Sequence, residues 1–183
     1  AKQWCVLIPC SNTETWAVPQ NCLAEIMTLN LDTALPPDEV IWRGRTVPVL
    51  DFGSDDGSLW REPHRGAGLV AIFLGLRGEG CEYWGVAVRG EGLKVVSLSP
   101  EKVEDMPERA SQHATAAFNF NGVLCQVPDL DSFQKKIAVT QQVALAVRIE
   151  LDRAQRAVVV GEDQTHRRDK RGGAEAAETD HRA

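Results

Sequence analysis

The residues with the best claim to chemistry are few. Cys125, His113 and Asp129 offer a nucleophile, a base and an orienting carboxylate, the set a thiol enzyme needs. Cys125 sits within an apolar run, however. Such surroundings raise a thiol's pKa and leave little thiolate. The other histidines, His64, His166 and His181, fall in loops or near the C-terminus, and none forms an i, i+4 pair of the kind that ligates zinc. Asp55-Asp56 and Glu104-Asp105 read as solvated turn or helix-end charges, not as an acid/base couple. Cys5, Cys10, Cys22, Cys81 and Cys125 are odd in number and lack CxxC spacing, so neither a disulfide framework nor a structural zinc site is expected. There is no GxSxG, HExxH, Walker A or dinucleotide fingerprint, and Gly75–Gly78 and Gly90–Gly92 read as hairpin turns. These observations predict a non-enzymatic protein with no cofactor and no metal.

The elements that would carry any site are mostly strands. Apolar runs at Trp4–Ile8, Thr15–Val18, Leu23–Leu31, Val40–Trp42, Thr46–Phe52, Leu69–Leu76, Glu82–Val88, Lys94–Leu98, Ala116–Phe120 and Val123–Val127 are short and separated by turn residues, the pattern of a β-barrel or sandwich. Asn121-Gly122 is the strongest hairpin signal. Pro48 is expected at an edge or bulge, because proline cannot donate to a ladder. Gly53–Gly68 is the longest loop. Ser99-Pro100-Glu101 reads as the start of a short helix ended by Pro107. Trp4, Trp16 and Trp84 are expected in the core, and Trp60, in the long loop beside Arg61, either anchors a partner or folds back over a barrel end.

Ile137, Thr140, Ala144, Val147, Leu151, Ala154 and Val158 recur at spacings of three and four, the face of an amphipathic helix. Residues 162–183 are charged and small, without an apolar anchor, and are expected to form a disordered tail. The organisation is thus a β domain over residues 3–137, a helix over 138–161 and a tail over 162–183. The β domain carries a weak internal repeat: each half opens with a hairpin (Trp4–Val18; Leu69–Val88) and closes with one leading to an aspartate (Val40–Asp51; Ala116–Asp129). The repeat suggests two small barrels of related shape.

The 183 residues are 43% hydrophobic and 25% charged with a net charge of −6. That balance disfavours nucleic acid, which needs a clustered basic face, and an anionic membrane surface. No run approaches the length of a membrane span, and the N-terminal residues lack the form of a signal peptide, so a cytoplasmic location without membrane insertion is expected.

The stretch Trp42-Arg43-Gly44-Arg45-Thr46-Val47-Pro48-Val49-Leu50-Asp51-Phe52 resembles the signature of the CheW-like domain, in which an apolar residue, Arg and Gly precede a strand of the form V-P-V-x-D-apolar. Trp16-Ala17-Val18-Pro19 is similar to that family's Y-A-L-P strand. Glu25-Ile26 sits at its acidic-apolar strand, Tyr83–Val88 at its V-G-L-x-V strand, and Phe118–Leu124 at its closing hairpin. The ordered set spans Gln3 to Ile137. Pro37-Asp38-Glu39-Val40-Ile41 departs from the glycine-containing approach, Asn119 and Phe120 replace a glycine turn, and the long helix exceeds a minimal member. The resemblance implies a mainly β fold of two five-stranded SH3-like barrels sharing a core, with a short helix and a C-terminal helix. It also implies an adaptor that binds the regulatory domain of a CheA-type histidine kinase and the cytoplasmic tip of a methyl-accepting chemoreceptor, here in a divergent system such as one serving a type IV pilus or twitching motility. Carried over by motif, Arg43, Gly44, Val47 and Pro48 lie at the partner-binding surface, with Trp60 added as an anchor. The rival readings are a small-ligand-binding β-barrel, a Cys125-dependent enzyme, and a different scaffold built around the Ile137–Val158 helix as a pairing element for another chain.

Overall fold

A computed structural model describes residues 3–60, 66–76 and 81–178, the side chains of Leu76, Ala144 and 162–178 excepted. Eleven strands and one long helix are present among them: β1 Gln3–Pro9, β2 Thr15–Pro19, β3 Leu23–Leu29, β4 Glu39–Trp42, β5 Arg45–Leu50, β6 Gly68–Leu76, β7 Cys81–Val88, β8 Lys94–Leu98, β9 Val103–Asp105, β10 Ala114–Phe120, β11 Val123–Pro128 and α1 Leu130–Glu178. The chain is mainly β, as expected, and its strands form two curled sheets. One has six strands in the order β8-β1-β2-β11-β10-β9, one more than the resemblance implied. The other has five, in the order β3-β6-β7-β5-β4.

The repeat is visible in the strand order, but a half of the sequence does not make a sheet. The β1-β2 hairpin of the first half joins β8, β9, β10 and β11 of the second, and the β6-β7 hairpin of the second joins β3, β4 and β5 of the first. Both sheets are closed by an equivalent parallel pair: Cys125 opposite Thr15, and Val49 opposite Gly85. The repeat therefore consists of two interlaced halves.

The interlacing explains why these strands read as continuous apolar runs. Val6 and Ile8 of β1, Trp16 and Val18 of β2, Ala71 and Phe73 of β6, and Trp84, Val86 and Val88 of β7 fill one core between the sheets. Their alternate neighbours face inward: Leu7 and Ala17 into the six-stranded sheet with Phe118, Phe120 and Cys125, and Val70, Ile72 and Ala87 into the five-stranded sheet with Val40, Trp42, Val47 and Trp60. Strands buried on both faces lose the polar alternation of a half-exposed sheet. In the shared core Trp16 lies 5.2 Å from Phe133 and 6.3 Å from Trp84, and Phe73 stacks on Trp84 at 4.6 Å and 15°.

Two expectations change. The segment after Ser99 is not a helix. Single 3-10 turns at Pro100–Lys102 and Pro107–Arg109 flank β9, which pairs with β10 through Phe118 and Asp105. Ser99 makes no capping hydrogen bond, and β-branched Val103 suits a strand. Trp4 is 57% exposed, because it precedes the doubly covered part of β1 and lies beside Pro19–Asn21 at the sheet's outer surface.

Asp129 caps α1 by accepting the N–H of Ser132 at 3.2 Å. The helix's first turns bring Phe133, Ile137 and Ala138 into the shared core. The chain divides into two compact units, Ala1–Ala138 and Val139–Ala183. In the second unit α1 continues to Glu178, beyond the 161 at which the sequence reading placed a disordered tail. Residues 162–178 contain no proline and hold three Glu, three Arg and three Ala, all helix formers. Residues 179–183 of that tail lie outside the described residues. No helix among the described residues is long and apolar enough to cross a membrane.

Candidate partner-binding site

The β4-β5 hairpin turns at Arg43 and Gly44. Both have positive φ, 48° and 74°, the conformation of the tight turn whose twist matches antiparallel strands. The equivalent hairpin of the second half, β10-β11, makes the same turn with Asn121 and Gly122 at 50° and 80°. Asparagine tolerates the left-handed region; for most L-residues it costs roughly 1–2 kcal/mol. An arginine in that place is the costlier choice for the turn.

The Arg43 guanidinium lies over the Trp42 ring, 4.6 Å from its centroid. Trp42 is buried and packs at 4.8 Å on Tyr83, and its indole N–H donates to the Glu25 carboxylate. On the next strand Arg45 lies 5.4 Å over Tyr83 and pairs with Glu82. The hairpin tip thus presents two exposed guanidiniums backed by two rings packed at a tilt, with a carboxylate beside each ring. Exposed Ile41 adjoins them. By sequence Arg43 is the expected contact among these, while Glu25, Trp42, Arg45 and Tyr83 figure there as motif residues without a site role. The signal available was Trp-Arg-Gly-Arg, with aromatic and cationic residues adjoining at a turn.

The other motif residues lie below this tip. Val47, 1% exposed, fills the core of the five-stranded sheet. Trp60 shares that core. It is 4% exposed, with its N–H on the Leu69 carbonyl at 2.9 Å, so it supports the sheet from within and is not a surface anchor. Pro48 is half-buried and not on an edge strand. It sits where β5 passes from β4, whose ladder ends at Glu39 opposite Pro48, to β7, whose ladder begins at Val49 opposite Gly85. At that junction a missing N–H breaks neither ladder.

Cys125 is fully buried, and its thiol is pushed up to about 11, by burial first and by Cys5 second. Asp129 is engaged as the helix cap, and His113 packs its ring 5.4 Å from Phe133. These are structural roles in place of a nucleophile, base and orienter. Asp56 accepts the backbone N–H of Asn12 at 2.7 Å and that of Ser58 at 2.9 Å. Its carboxyl is held below its ordinary value, chiefly by Ser58. Among the described residues no three His, Cys, Asp or Glu side chains gather as metal ligands. His64 and His181 lie outside the described residues. A cleft of about 680 Å³ opens beside Trp60, between Asn12, Thr28, Leu59 and Glu91.

No family model matches this sequence. No curated protein matches it either. Among solved structures, the chain is similar to a crystal structure of the scaffolding protein TtCheW from Thermoanaerobacter tengcongensis, with 14% identity and a TM-score of 0.49 over 71% of this chain and 86% of that one.

Proposed function

We propose that this chain is a non-enzymatic adaptor that couples methyl-accepting receptors to a CheA-type histidine kinase, with the tip of the β4-β5 hairpin as its contact. The observation that carries the reading is Arg43 in the left-handed conformation. The same turn is made with asparagine in the other half, so the position keeps arginine for its side chain and not for the turn. Backbone outliers of this kind mark functional positions. A guanidinium stacked on a ring keeps its N–H edge free for a bidentate bond to a partner carboxylate. The resemblance of Trp42–Phe52 to the CheW-like signature names the partners: the kinase regulatory domain and the receptor's cytoplasmic tip. A cytoplasmic location goes with those partners, and the departures from the family pattern at 37–41 and 119–120 point to a chemosensory system other than the flagellar one, such as one of the pilus or twitching type.

The test is capture of partners by the tagged chain from its native cells, with identification by mass spectrometry. A CheA-type kinase or a methyl-accepting receptor is expected. Arg43→Glu abolishes capture with the melting temperature nearly unchanged. Arg43→Asn abolishes capture too, while stabilising the fold by about 0.5–1 kcal/mol through the easier turn. Recovery of neither partner from cells that express both sinks the reading, as does full capture by Arg43→Asn.

The cleft beside Trp60 favours a second reading, a small-ligand binder. Native mass spectrometry of the purified chain, showing a bound small molecule, decides for it.

A further inference from the structure

We infer that Glu25 is a positioning residue for Arg43, acting through Trp42; the inference rests on the reading of Arg43 as the partner contact. β3 and β4 are the two edges of the five-stranded sheet and make no ladder with each other. The sheet's curl brings them near enough for one side-chain bond, from the Trp42 indole N–H on β4 to the Glu25 carboxylate on β3, seventeen residues earlier. This bond fixes the rotation of the Trp42 ring about its side-chain axis. Tyr83, 4.8 Å away and tilted 57°, supports one side of that ring, and the Arg43 guanidinium is stacked 4.6 Å from its centroid.

Glu25 contributes electrostatics as well as geometry. An indole that donates to an anion gains electron density on its ring, and bonded groups polarise one another along such a chain. The attraction of an arginine to a ring face rests on the ring's negative face. Carboxylate, indole and guanidinium therefore form a line in which each member strengthens the next. Glu25 is exposed on β3 and Arg43 is at the hairpin tip, so the Arg43→Ala background separates an effect of Glu25 through Trp42 from a direct one.

Three variants of the full chain test this: Glu25→Ala, which removes the acceptor; Glu25→Gln, which keeps an acceptor without the charge; and Arg43→Ala. The first readout needs no partner. The Arg43 Nε–Hε resonance, shifted by the ring current of Trp42, is expected to move to the free-arginine position in Glu25→Ala and part of the way in Glu25→Gln. An unmoved resonance in both variants overturns the inference, whatever the partner proves to be. Should Glu25→Ala lose its dispersed amide spectrum, Glu25→Gln alone decides. The second readout is affinity for the purified regulatory domain of a CheA-type kinase and for a receptor-tip peptide. A loss of about five- to tenfold is expected in Glu25→Ala, with no further loss when it is added to Arg43→Ala at partner concentrations high enough to read that variant's residual affinity. An added loss in that background overturns action through Arg43. Absence of binding by the unaltered chain sinks the adaptor reading and leaves the resonance test standing.

Discussion

Arg89 grips both carboxylate oxygens of Asp51, with Nε 3.0 Å from Oδ1 and Nη2 2.5 Å from Oδ2, and its remaining Nη1 reaches the Ser58 carbonyl at 2.7 Å. The Arg89 side chain is only 4% exposed. Its backbone N–H meets the Pro9 carbonyl at 2.7 Å. One residue therefore ties the end of β7 to the end of β1, the end of β5 and the 53–60 segment. The aspartate that closes the repeat in each half has diverged in use: Asp129 caps a helix, and Asp51 holds a buried cation.

Removing one partner of such a pair strands a buried charge, which costs more than the pair's net contribution. Asp51→Ala is expected to lower stability by about 3 kcal/mol, read as a drop in urea midpoint with the slope unchanged. Asp51→Ala combined with Arg89→Leu is expected to recover part of that loss. A double variant as unstable as the sum of the two singles refutes the coupling.

Cys125 gives a pH dependence of fixed sign. Its thiol has a pKa of about 11 in the folded chain against an ordinary value of 9.0. Above pH 9 the unfolded chain releases this proton while the folded chain keeps it, so stability falls as pH rises from about 9 to 11. Below pH 9 the contribution is fully present. Cys125→Val is expected to make the alkaline limb of a pH–stability curve shallower, and Cys10, whose thiol burial also pushes well up, supplies a remaining part of the slope. In the native chain at pH 7.5, Cys125 is expected to alkylate far more slowly than partly exposed Cys5.

The helix makes a prediction about truncation. Phe133 lies 5.2 Å from Trp16 and 5.8 Å from Phe52 at the centre of the shared core. A chain ended after Ala138 retains Phe133 and Ile137 and is expected to melt as a monomer near the full-length temperature. A chain ended after Asp129 loses both and exposes the aromatic cluster, a loss of about 3 kcal/mol or more. Size-exclusion chromatography is expected to show that second chain aggregated. A soluble, cooperative melt of the shorter chain rules out the helix start as part of the core.

Most strand positions were legible in the sequence, because apolar runs bounded by glycine, proline and asparagine report local geometry. Asn121-Gly122 and its hairpin are the clearest case, and Arg43-Gly44 marked the turn of the β4-β5 hairpin. What escaped depended on distant partners. Arg89 reads as an ordinary charge before a glycine turn, and nothing near it points to Asp51, 38 residues earlier. Val103–Asp105 carries a helix-start signature on its N-terminal side, yet its pairing with β10 prevails. Trp60 follows a loop sequence, and its burial depends on a sheet assembled from both halves. Of the site, the arginine was legible as a motif residue. Trp42, Tyr83 and Glu25 were legible as motif residues too, but not their meeting beneath Arg43, because β3, β4 and β7 come together only in the curled sheet.

The exchange of hairpins between the halves has a consequence for how the β unit can come apart. A cut anywhere between β5 and β6 leaves β1–β5 on one fragment and β6–β11 on the other, and each fragment then owns an incomplete share of both sheets. Neither fragment can bury its two-faced strands alone, so the pieces must find each other before either can fold. Complementation of the two fragments should therefore restore the contact surface in one step, and the unit should melt in a single transition, with no state in which one sheet survives the other.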